Sequence, residues 1–134
     1  MDLSQKKTKI DSEFWARWEE LVKAARELVP DSPFKFEPEA TSFHVTKPRT
    51  KFEQARLTME KGKVSPPPGL DCALEQTPHR VEVQGRGGFK PSEPSYLFDA
   101  DDSGVFLLAS QSHKKLDFQE AAKAIVGPFL KRYK

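Results

Sequence analysis

Two stretches of this chain repeat their apolar residues at helical spacing, and the stretch between them repeats at two. Near the start, Phe14, Trp18, Leu21, Val22, Ala25, Leu28 and Val29 fall on one face of a helix, with Trp15 flanking it. Asp11 or Ser12 supplies the expected cap, Glu13 suits the first turn, and Pro30 ends the element. Near the end, Phe118, Ala121, Ala122, Ile125, Val126, Phe129, Leu130 and Tyr133 make a second stripe. Asp117 and Glu120 have the spacing of a capping box. Gly127-Pro128 lies inside this stripe and predicts a kink or a restart, because proline removes one helical hydrogen bond.

From Phe34 to Ser110 the alternation predicts strands. The pairs and triplets are Phe34/Phe36, Phe43/Val45, Leu70/Cys72/Leu74 and Val81/Val83. Tyr96–Ala100 and Val105–Ala109 form a hairpin about Asp101-Asp102-Ser103-Gly104. Ala55, Leu57 and Met59 also alternate and are taken as a strand, although Phe52, Ala55 and Met59 would suit a short helix. Proline- and glycine-rich joints separate these runs: Pro66-Pro67-Pro68, Gly85-Arg86-Gly87-Gly88 and Pro91 to Pro94.

No helical stretch separates the other strands, so parallel crossovers are excluded. The expected fold is therefore α+β: a twisted antiparallel sheet of five or six strands flanked by an N-terminal and a C-terminal amphipathic helix. A partly closed barrel plugged by the last helix is the alternative. It is similar in outline to pleckstrin-homology-like modules, a likeness of architecture alone. Residues 1–10 are expected to be a flexible segment and 11–134 one domain.

Composition sharpens this picture in a few places. Among 134 residues, 31% are charged and 37% hydrophobic, so ten Phe and two Trp must supply much of the core. One cysteine, Cys72, excludes an internal disulfide and suits a reducing, cytoplasmic setting. The first residues lack the apolar run of a secretory signal, and no run is long enough for a membrane span.

A net charge of +2 does not by itself mark a nucleic-acid binder, but the charge is unevenly placed. Residues 44–63 hold Lys47, Arg49, Lys51, Arg56, Lys61 and Lys63 against Glu53 and Glu60, a candidate anion-binding face. Residues 11–40 hold eight acidic against four basic side chains.

Candidate chemistry is sparse. Asp99, Asp101 and Ser103, with Gly104 after them, match the opening of a calcium loop, but Ser110 stands where a bidentate glutamate belongs. A hairpin turn explains the same residues. Cys72 and His79 are residue types that can pair as nucleophile and base, yet Cys72 occupies an apolar strand position. His44, His79 and His113 share no metal-ligand spacing, and no cofactor is expected. The expected function is a non-catalytic binding or protein-interaction module, with self-association through a strand edge as one form. A nucleic-acid-associated module using residues 44–63 is the alternative. An enzyme whose site is dispersed in sequence is the third.

Overall fold

In the computed structural model, which describes residues 1–62 and 66–134, the first helix α1 spans Leu3–Leu28. The Asp2 carboxylate accepts the Gln5 amide, and the Gln5 side chain accepts the Asp2 amide in return. The helix thus starts about two turns before Asp11, and residues 3–10 belong to it. Asp11 and Ser12 are interior residues; the Ser12 hydroxyl donates back to the Lys9 carbonyl instead of capping. Phe14, Trp18, Leu21, Ala24 and Ala25 are the buried stripe.

Among the described residues seven strands follow, hydrogen-bonded in chain order and antiparallel throughout. They are β1 Lys35–Pro38, β2 Ser42–Thr46, β3 Gly69–Gln76, β4 His79–Arg86, β5 Ser95–Asp101, β6 Gly104–Ala109 and β7 Lys115–Leu116. The count exceeds the five or six expected because β7 is only two residues long. It is placed by pairing with Leu107 and Leu108 and has no alternation of its own to read. The sheet curls into half a barrel and its outer strands, β1 and β7, do not meet. The expected hairpin at Asp101–Gly104 is present, with Asp101 facing Gly104.

Residues 51–61 are not a strand but a helix, α2 (Lys51–Lys61). The Thr50 hydroxyl accepts the Glu53 amide at 3.1 Å, and Gly62, at φ 70°, sends its amide to Thr58 at 2.8 Å. Both ends therefore carry capping residues that a strand does not use.

The last helix, α3 (Phe118–Tyr133), begins on the expected capping box of Asp117 and Glu120. It does not restart at Pro128. That residue is exposed, so the hydrogen bond it forfeits lies where water can replace it, while Val126 and Phe129 on either side are fully buried. Helices α1 and α3 pack on each other inside the curl. They meet the inward residues Phe43, Val45, Leu70, Cys72, Val81, Tyr96, Phe98 and Leu107 in one continuous core. Burying Phe118, Ile125, Val126, Phe129 and two alanines gives α3 on the order of 10 kcal/mol gross, before entropy is counted. No helix among the described residues is long and apolar enough to cross a membrane.

Candidate functional site

Strand alternation that sends Phe43 and Val45 inward sends Ser42, His44 and Thr46 to the outer face. There His44 lies opposite Asp71 on β3, and Thr46 opposite Gly69, which in turn faces Arg86 on β4. These side chains form a connected row. His44 Nδ1 is 2.6 Å from Asp71 Oδ1 and its Nε2 is 2.8 Å from Glu39 Oε2. Arg86 Nε donates to Asp71 Oδ2 at 2.8 Å, and its Nη2 to Thr46 Oγ1 at 3.2 Å. Gly69 makes this possible, since a Cβ there would lie 2.5 Å from the Arg86 guanidinium carbon. His44 and its partners were invisible in the sequence, because Asp71 and Arg86 become neighbours only once the strand register is known.

Ser42 Oγ, 3.4 Å from His44 Nε2, completes a serine–histidine–aspartate order that invites a hydrolytic reading. The hydrogen bonding argues against it. The hydrogen bond to Asp71, then that to Glu39, holds the His44 pKa above its ordinary value. Both ring nitrogens lie closer to carboxylate oxygens than Nε2 does to the Ser42 hydroxyl, so neither is aimed at the serine proton. The Ser42 hydroxyl, moreover, already donates to Glu39 at 2.8 Å. The row is a charged clamp tying the β1–β2 turn to β3.

The sign of its pH dependence follows. Because the folded pKa is raised, the clamp is at full strength below the unfolded value of about 6.5 and fades as pH climbs through the folded value. Replacing His44 by alanine should cost about 1 kcal/mol at pH 6, a low figure for a charge-assisted pair because the ring is partly exposed. The difference from wild type in thermal melts should shrink as the pH rises above about 6.5.

The other candidate residues are dispersed. Cys72 faces inward between Phe43 and Val83, fully buried, and burial pushes its thiol pKa well up. His79 sits at the β3–β4 turn, 3.1 Å from Asp11 and edge-on to the Phe14 ring. Cys72 and His79 therefore do not form a nucleophile–base pair. His113 occupies a turn at φ 59°. At the hairpin, Asp101 accepts from the Ser103 amide and hydroxyl, and the Lys115 ammonium lies against its other oxygen. A lysine thus takes the place a cation would need, and its hydrogen bond, then those from Ser103, holds the Asp101 carboxyl well below the usual range. Asp99 pairs with Lys6 at 3.5 Å. Among the described residues no group of three or more His, Cys, Asp or Glu side chains is placed to hold a metal ion.

The basic residues of 44–63 divide between the β2–α2 connection (Lys47, Arg49) and α2 (Lys51, Arg56, Lys61); Lys63 lies outside the described residues. On the helix they recur every five positions, about 140° apart, so they ring α2 instead of forming one stripe. What does form a stripe is apolar. Phe52, Ala55 and Met59 fall within an arc of about 60°, and this arc faces solvent: Phe52 is 78% and Met59 86% exposed. The half-buried residues are Gln54, Leu57 and Thr58. Not one residue of α2 is buried. The usual order of an amphipathic surface helix is inverted here.

Compared with protein-family models, curated proteins and solved structures, the chain finds no match in any of the three.

Proposed function

We propose that this chain is a non-catalytic protein-interaction module that docks through α2. The observation that carries this is the outward stripe of Phe52, Ala55 and Met59 on a helix with no buried residue of its own. Spacing of i, i+3 and i+7 is the pattern with which a helix enters a partner's apolar groove. Covering Phe52 and Met59 is worth about 1.5–3 kcal/mol each, enough to anchor an interface whose rim is polar. Lys51 and Arg56 flank the stripe and favour a groove rimmed by carboxylates. The lone buried thiol of Cys72 suits a reducing cytoplasmic location.

A nucleic-acid role for the same segment is less well supported, since the cations ring α2 and two large apolar side chains occupy its most exposed arc. The blunt sheet edges also turn self-association away from strand pairing: Pro38 on β1 has no N–H to give, and β7 is two residues long.

The test is a photoreactive benzoylphenylalanine in place of Phe52, with a control at Leu97, which is also exposed. Illumination in cells should yield a discrete protein adduct from position 52, none from 97, and none from 52 when Met59→Asp is added. Only nucleic-acid adducts, or none at all, would remove the proposal.

A further inference from the structure

His44 stands on the outer face of β2 with carboxylates around it. Glu37 lies opposite on β1, Asp71 opposite on β3, and Glu39 reaches the ring from the β1–β2 turn. Asp71 and Glu37 each have a second cation: Arg86 Nε donates to Asp71 at 2.8 Å, and Lys35 Nζ is 3.8 Å from Glu37. Farther along this face, Arg49 and Lys51 line a cleft together with Lys35, Glu37 and Thr46. On the other side of the turn, Glu39 and Ala40 meet α1, where Glu19, Lys23 and Arg26 line a groove of about 320 Å³ beside Trp18.

The two hydrogen bonds of the ring are unequal. Asp71 is 26% exposed and stays tied to Arg86, whereas Glu39 is 65% exposed and is held by His44 and Ser42. A ring that gives up a proton keeps a hydrogen on one nitrogen and offers a lone pair on the other. The shorter contact, 2.6 Å to the better anchored Asp71, keeps that hydrogen on Nδ1. Nε2 then aims a lone pair at the Glu39 carboxylate 2.8 Å away, with no hydrogen between them. That contact is repulsive, and Glu39 leaves.

We propose that His44 is a proton-operated latch on the edge of the sheet: protonated, it holds the β1–β2 turn closed through Glu39, and neutral, it releases Glu39 but keeps Asp71, so that β1 and its turn open locally. This local opening is separate from the loss of overall stability described above.

Strand β1 is the part that yields. It has four residues, pairs on one side only, and ends in Pro38, which has no N–H. Across the turn, the Glu39 amide donates to the Ser42 carbonyl and the Leu74 amide to that of Thr41, both at 2.7 Å. Trp18 Nε1 donates to the Ala40 carbonyl at 3.1 Å, so a core tryptophan reports where the turn lies. Opening withdraws that acceptor and loosens Phe36, which stacks on Phe43 at 5.3 Å. The groove beside Trp18 therefore widens. The sign is fixed by the raised pKa of His44: the latch is closed below about 6.5 and lets go as pH climbs through the folded value.

Nuclear magnetic resonance on the full chain between pH 5.5 and 9 tests this. The Trp18 Nε1–H and Glu39 amide resonances should move with the midpoint of the His44 ring. Protection of the Glu39 amide, corrected for intrinsic exchange, should fall about fivefold across that midpoint. Protection of the Ala109 amide, bonded to Lys114 at the far edge of the sheet, should stay level. Glu39→Gln should keep the turn closed at both ends of the range, because its amide can donate to a neutral Nε2. His44→Leu should hold Trp18 at its high-pH position throughout. A Trp18 resonance and Glu39 protection indifferent to the His44 titration, or a pH response that survives Glu39→Gln, overturns the latch.

Discussion

Replacing Phe129 by alanine should remove about 3–5 kcal/mol of folding free energy, seen as a lower denaturant midpoint at unchanged slope. Phe129 has no exposed surface, and three rings surround it: Phe34 at 5.8 Å, Phe89 at 5.0 Å and Tyr133 at 4.9 Å between centroids. It is the point where α3 meets both the segment before β1 and the turn after β4. Truncation leaves a cavity that three aromatics on separate elements cannot jointly collapse into. Since domains of this size hold about 5–15 kcal/mol in all, such a loss takes a third or more of the total. A cost below about 1 kcal/mol would mean that the last turns of α3 are not docked as described.

Gly85→Ala should be nearly as damaging, at about 3 kcal/mol. A Cβ at this position would lie 1.8 Å from the carbonyl oxygen of Phe89 and 2.6 Å from its carbonyl carbon. Both are backbone atoms in a tight turn closed by the Phe89 amide on the Arg86 carbonyl at 3.3 Å, with Gly87 at φ 63°. No rotamer change relieves that overlap. The turn must move, and it takes Phe89 away from Phe129. Chemical denaturation of Gly85→Ala alone and together with Phe129→Ala checks the connection. The double variant should lose clearly less than the sum, because the two changes damage one contact.

Elements that bury a face were legible in the sequence, and those that do not were misread. The stripes of α1 and α3 report the surface they cover, and the alternation in β2 to β6 reports the inside of the curl. Helix α2 buries nothing, so its apolar residues say nothing about its own packing, and Ala55, Leu57 and Met59 pass for a strand. The signals that did identify it were local: Thr50 three residues before Glu53, and Gly62 just past Lys61. The early start of α1 was likewise local, carried by Asp2 and Gln5, while Lys6, Lys7 and Lys9 hid it from any search for apolar residues. The His44 row depends on register between three strands and has no counterpart in linear spacing. Its residues were legible one by one, as a histidine, an aspartate and an arginine, but not as a cluster.

Because every strand pairs with its neighbour in the chain, the ribbon can assemble progressively as it leaves the ribosome. The helix that fills its hollow follows all seven strands, and it must also find α1, which precedes them. Until α3 emerges, a nascent chain holds a sheet whose oily lining is covered by one helix alone. Synthesis therefore passes through a stage, before α3 is made, in which the lined sheet is most exposed to clumping, and loss of α3 would leave it there.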